Sequence, residues 1–347
     1  MADQVIPQIN LDHVPAQLRI MREAGIPTML LGGFGVGKTS VVEQFAESIG
    51  AHMEVIHGSH YTPTDLLGVG VPVEEKFVRF LMPEIFQRIR SAAQDGKPTI
   101  LFIDEVTHAS KTMLALFMQL TLEGKVAGHE LPKDTYIVLA GNRREDRGPL
   151  FNMNHILTNR LALYEVQAPT VDTWAAWASA HDVAPEVVAF IMRNPHRLVD
   201  VDTSRLINMT PRSWVRAGQV LAKAKDMPSA VRMAALHSLV GPIAFELEPM
   251  IELRDKLPSI KEILADPDGA PVPDVGDMAA LYMTSVMVAQ HFDKENHEAL
   301  GTYLFRLPED IAAVGCVIIG KRGMDSLLFT LPGASKYLTA LSKALFD

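Results

Sequence analysis

The amino-acid sequence predicts an α/β fold: a parallel sheet sandwiched by helices, followed by an all-α lid and a mostly helical C-terminal region. Three observations predict it. Short apolar runs of strand length alternate with helix-length segments up to residue 166, as expected of parallel strands covered on both faces. One of these runs ends in a glycine-rich turn that opens a helix. Beyond Ala168-Pro169-Thr170 the pattern becomes helical.

Taken in order, Pro15 to Ala24 predicts a helix and Ile26 to Leu31 a buried strand that runs into glycines. Val41 to Ile49 continues as a helix and Met53 to His57 as a second strand. Val69 to Val73 and Phe77 to Leu81 are two β-prone segments that predict a protruding hairpin. A helix from Pro83 to Ala93 begins with proline in its first turn. Thr99 to Ile103 is a strand, Thr112 to Leu122 a helix, and Lys125 to Glu130 a second small hairpin. Thr135 to Ala140 and Leu161 to Val166 complete the sheet. Helices follow at Val171 to Ala180, Pro185 to Arg193, Pro211 to Lys225 and Ala230 to Leu239. The expected divisions are an α/β core over 1–168, a helical lid over 169–257, a Pro/Gly-rich linker over 258–277 and a mostly helical extension over 278–347.

At 347 residues the chain is too long for one compact core. Its formal net charge of −9 argues against a surface built to coat nucleic acid, because such affinity rests on neutralising phosphates. A single cysteine, Cys316, lies in an apolar run and reads as a small buried hydrophobe. An early acidic residue at the N-terminus and the lack of a long apolar stretch lead us to expect no signal peptide, no membrane span and a cytoplasmic location. The pair His57 and His60 has no third ligand nearby in sequence and reads as a strand-end pair without metal. Trp174 and Trp177 read as packing anchors.

The residues Gly32-Gly33-Phe34-Gly35-Val36-Gly37-Lys38-Thr39 satisfy the phosphate-loop pattern G-x-x-x-x-G-K-[ST], and Ser40 follows. Glycines let the main chain wrap closely enough for its N–H groups to face phosphate oxygens, and a helix start adds its positive dipole end. Lys38 suits the β- and γ-phosphates of a nucleotide, and the Thr39 hydroxyl suits Mg²⁺. The apolar strand before Asp104-Glu105 places Asp104 at the sheet edge beside the metal. Glu105 follows as a general base for the attacking water. Asn142, after the strand ending at Ala140, offers an uncharged amide to the γ-phosphate or the water.

In these motifs the chain resembles the AAA+ P-loop ATPases, and within them the MoxR-like, dynein-related branch with a hairpin inserted in helix 2. The resemblance covers about residues 10 to 225 and also includes Thr64 to Gly68, Thr158 to Leu161 and Thr210 to Ser213. It implies that Asn142 is the sensor-1 residue, Arg160 an arginine finger acting on a neighbour's nucleotide and Arg212 the sensor-2 residue of the lid. Arg143, Arg144 and Arg147 compete with Arg160 for the finger role. The chain departs from the branch at Val106-Thr107-His108 and at Asn159. By resemblance the chain would form a homo-hexamer and remodel or activate a protein client, for example one with a von Willebrand factor A domain. The alternatives are a nucleic-acid motor or loader on the same core, and a nucleotide-gated scaffold with slow turnover.

Overall fold

The computed structural model describes residues 6–74, 76–143, 160–202, 204–337, 339 and 341–342. They form two compact units, 1–168 and 169–347. The first unit holds a six-stranded sheet in which every neighbouring pair is parallel. Its strands are β1 (Gln8–Asn10), β2 (Thr28–Gly32), β3 (His52–His57), β6 (Thr99–Asp104), β9 (Thr135–Gly141) and β10 (Ala162–Gln167). The spatial order is β1-β10-β2-β9-β6-β3, so β2 lies between strands that come late in the chain. That reversal opens a crevice at the carboxyl ends of the strands, where open α/β sheets bind ligands.

The central strands form because they are apolar throughout: Ile100, Leu101, Phe102 and Ile103 are all fully buried. Helices α1 (Val14–Glu23) and α2 (Lys38–Ser48) cover one face, where Leu18, Val42 and Phe45 pack under Leu30, Phe102 and Val138. Helices α3 (Pro63–Leu67), α4 (Glu84–Gln94) and α5 (Lys111–Glu123) cover the other with Leu66, Phe86 and Phe117. The three-residue edge strand β1 and the five-residue helix α3 were not anticipated; neither is long enough to show a period.

Both predicted hairpins are present, as β4 (Gly70–Val73) with β5 (Phe77–Phe80) and β7 (Lys125–Val126) with β8 (His129–Glu130). The first leaves the core through Gly68, whose φ of +81° places it in the left-handed region. A methyl group there would also collide with the main-chain oxygen of Leu81 at the hairpin's return. We therefore expect Gly68→Ala to destabilise the first unit by at least about 2 kcal/mol. Denaturant titration would read this as a lower midpoint at unchanged slope, and an unchanged midpoint would mean that the hairpin neck is plastic.

The second unit is helical. Its helices are α6 (Val171–Ala180), α7 (Pro185–Arg193), α8 (Pro211–Ala224), α9 (Ser229–Val240), α10 (Ala244–Leu253), α11 (Ile260–Ala265), α12 (Met278–His291), α13 (His297–Leu304), α14 (Glu309–Ile319) and α15 (Asp325–Leu328). One core takes Trp174, Val188, Trp214 and Leu236 from the segment read as a lid, and Val286, Leu304 and Ile318 from the segment read as an extension. The Pro/Gly-rich stretch between them holds α11, closed by a capping box of Ser259 and Glu262, and buries Ile263 and Ala270 in the same core. Cys316 is fully buried there, and burial pushes its thiol up to about 12.

The helical run Ser229–Ala265 is long and apolar enough to cross a membrane by length and composition alone. It is interrupted by short turns at Gly241–Ile243 and Arg254–Lys256, and Met233, Leu236, Leu247 and Met250 face the core. Those features fit a core element.

Candidate functional site

The turn from β2 into α2 holds the phosphate-loop residues. Gly37 caps the helix with φ +111°, a conformation that a side chain would resist, and Lys38, Thr39 and Ser40 form the first helical turn. Val36 is buried, whereas Phe34 and Ser40 are exposed. Lys38 is only 8% exposed. Its ammonium donates to the main-chain oxygens of Gly32 and Gly33, both at 2.8 Å, and to Asn142 Oδ1 at 3.3 Å. A buried ammonium held by main-chain oxygens at the mouth of a phosphate-loop turn is suited to receive an anion.

Strand β6 brings up the carboxylates. Thr39 Oγ1 donates to Asp104 Oδ2 at 2.7 Å, and the Glu105 amide donates to Asp104 Oδ1 at 2.8 Å. Thr39 and Asp104 thus offer adjacent hard oxygen donors, the set that a Mg²⁺ ion prefers. Glu105 is exposed and has a left-handed main chain, φ +53° and ψ +32°, unusual for a residue with a side chain. Ser59 Oγ donates to Glu105 Oε2 at 2.8 Å, which turns the carboxylate toward the end of β3. From β9, Asn142 presents its side chain to Lys38 while its amide donates to Thr107 Oγ1 at 3.2 Å.

Lys38, Thr39, Asp104, Glu105 and Asn142 therefore meet at the carboxyl edge of the sheet. Arg160 does not join them. It is exposed, two residues before β10, whose Ala162 pairs with Thr28 at the start of β2. From Thr28 to Gly32 the strand climbs about 13 Å at ~3.3 Å per residue, so Arg160 lies toward the opposite end of the sheet from its own phosphate loop. Arg143, one of its competitors, is paired with Glu165 of β10 at 3.2 Å. Arg144, Arg147, Thr158 and Asn159 lie outside the described residues. Arg212 is exposed in the first turn of α8, in the second unit.

Ser59 was not singled out in the sequence, and Thr107 stood out only as part of a departure from the family pattern. The available signal was positional: each follows the carboxyl end of a strand in the sheet that carries the phosphate loop. His57 and His60 stand with ring centroids 5.8 Å apart, and the described residues contain no group of three or more His, Cys, Asp or Glu placed to hold a metal.

A parallel sheet with a phosphate loop at its switch point and an acid pair at the end of the next strand but one defines the P-loop nucleotide-binding class. Within it, residues 27–161 match the family model of the AAA domain of the dynein-related subfamily. The match supports nucleotide-dependent ATPase activity. Two solved structures are similar to the chain. A mutant of Thermotoga maritima RuvB is 16% identical over 85% of this chain and 86% of that one, with a TM-score of 0.39. PCH-2 from C. elegans is 15% identical over 71% of this chain and 68% of that one, with a TM-score of 0.34.

Proposed function

We propose that this chain is a Mg²⁺-dependent ATP hydrolase of the MoxR-like kind, which assembles as a ring and uses ATP to remodel or activate a protein client. The convergence of Lys38, Thr39, Asp104, Glu105 and Asn142 on one edge of the sheet carries the hydrolytic reading. Lys38 and the amides of the helix start hold the phosphates of the substrate. Thr39 and Asp104 would hold Mg²⁺, which when bound neutralises charge on the phosphate oxygens. Glu105 takes the proton of the attacking water as general base, and Asn142 orients that water without adding negative charge.

Assembly is supported by the placement of Arg160. An exposed guanidinium at the far end of its own sheet is poorly placed for its own nucleotide and free to serve a neighbour's. Arg212 keeps the sensor-2 role that the MoxR-like reading gives it. A protein client is supported by the β4–β5 hairpin, where Val69, Phe77, Val78, Phe80, Leu81 and Met82 are exposed together. A partner with a von Willebrand factor A domain suits the MoxR-like reading.

Mixing variants tests the shared site. Arg160→Ala and Lys38→Ala should each be inactive alone. A random equal mixture should regain roughly a quarter of wild-type turnover, because one interface in four joins an intact loop to an intact finger. No recovery on mixing, with both variants assembled, would remove the trans role of Arg160.

A further inference from the structure

Strands β6 and β9 carry the two groups that must face one water, Glu105 and Asn142. Their ladder ends at Ile103 and Leu139, short of both residues. Past that rung the strand ends are joined through Thr107. This residue is 4% exposed on a one-turn helix, Val106–His108, that begins directly after Glu105. Its Oγ1 accepts from the Asn142 amide at 3.2 Å. Its methyl lies against Gly141: a Cβ added there would meet Thr107 Cγ2 at 2.5 Å and Oγ1 at 3.3 Å. A β-branched side chain gripped at both branches has one rotamer available.

The contacts close a ring. Lys38 reaches the Asn142 side chain, the Asn142 amide reaches Thr107, and Thr107 is two residues from Glu105. The Glu105 amide reaches Asp104, Asp104 reaches Thr39, and Thr39 adjoins Lys38 along α2. We infer that Thr107 is a positioning residue for hydrolysis: it sets Asn142 against the left-handed turn at Glu105 and so fixes where the attacking water sits. The inference rests on the hydrolase reading above and adds a residue that touches neither nucleotide nor metal.

The test compares Thr107→Val, which keeps the shape and removes the acceptor, with Thr107→Ser, which keeps the acceptor and removes the methyl. For the full-length chain, kcat and KM for Mg-ATP, affinity for a fluorescent ATP analogue and the thermal midpoint are measured for each. Thr107→Val should lower kcat on the order of 10- to 100-fold, as expected when reacting groups are displaced by a fraction of an ångström to an ångström. Analogue affinity should stay within about threefold, since ground-state binding is untouched. Thr107→Ser should recover most of kcat.

A second pair guards against poor folding of the valine variant. Gly141→Ala should lower kcat by pressing on the Thr107 methyl, and Gly141→Ala combined with Thr107→Ser should restore it. Equal kcat in Thr107→Val and wild type, or a parallel loss of kcat, affinity and thermal midpoint, would overturn the inference and leave Thr107 a packing residue. Glu105→Gln, run alongside, separates the two levels. If it abolishes hydrolysis while the Thr107 variants are neutral, only the positioning role falls. If wild type itself does not hydrolyse ATP, both readings fall.

Discussion

Lys38→Ala is expected to lower ATP turnover by about 10²- to 10³-fold, the range found when one preorganised donor to developing charge is removed. Lys38 is almost completely buried, and its ammonium donates to the main-chain oxygens of Gly32 and Gly33 and to Asn142 Oδ1. Without it, two main-chain carbonyls and an amide oxygen would face the phosphates, and those dipoles oppose negative charge. ATP affinity should weaken along with turnover, because the cation acts on the bound substrate as well as on the transition state. Stability should move little, by about 1 kcal/mol, since the released carbonyls border solvent once the side chain is gone. Steady-state ATPase rates and nucleotide titration, with a thermal scan as control, measure all three. Wild-type turnover in a folded variant would end the phosphate-loop assignment.

Glu105→Gln should separate binding from chemistry. A carboxamide cannot take a proton from water, and loss of a general base costs about 10²- to 10⁴-fold. The substitution keeps the side-chain length, and its oxygen can still accept from Ser59. The left-handed main chain at this position is equally open to glutamine, so the turn should survive. The expected protein binds Mg-ATP as tightly as wild type and retains it unhydrolysed in a single-turnover assay. Weakened binding with unchanged turnover of the bound fraction would show that Glu105 holds nucleotide and that the base lies elsewhere.

The chemistry-bearing core of the site was legible because it is local in sequence. Gly32 to Thr39 form one continuous turn, and their spacing alone places the ammonium and the hydroxyl on one helix start. Asp104 and Glu105 were legible because a run of strand residues as apolar as Ile100 to Ile103 has to be buried, which leaves the following acids at its edge. The two hairpins were legible from short β-prone segments around turn residues. Ser59 and Thr107 were not, since each acts across a strand gap on a residue more than thirty positions away. The left-handed turn at Glu105 was equally hidden: nothing in Asp-Glu-Val-Thr specifies it. The helical unit was read as a lid, a linker and an extension because amphipathic periods show which face is buried and not against what. Its single core, reaching from Trp174 to Leu341, emerges only when the helices are packed.

The sequence by itself determined five of the six sheet strands, the phosphate loop and the acid pair, because periodicity and motif spacing act over a few residues of covalently joined chain. Tertiary structure decided which strand ends are neighbours, and with that the pairing of Thr107 with Asn142 and of Ser59 with Glu105. It also decided that Arg160 sits at the far end of its sheet. Those relations depend on strand order and register, which long-range hydrogen bonding and burial select and no local run of residues encodes.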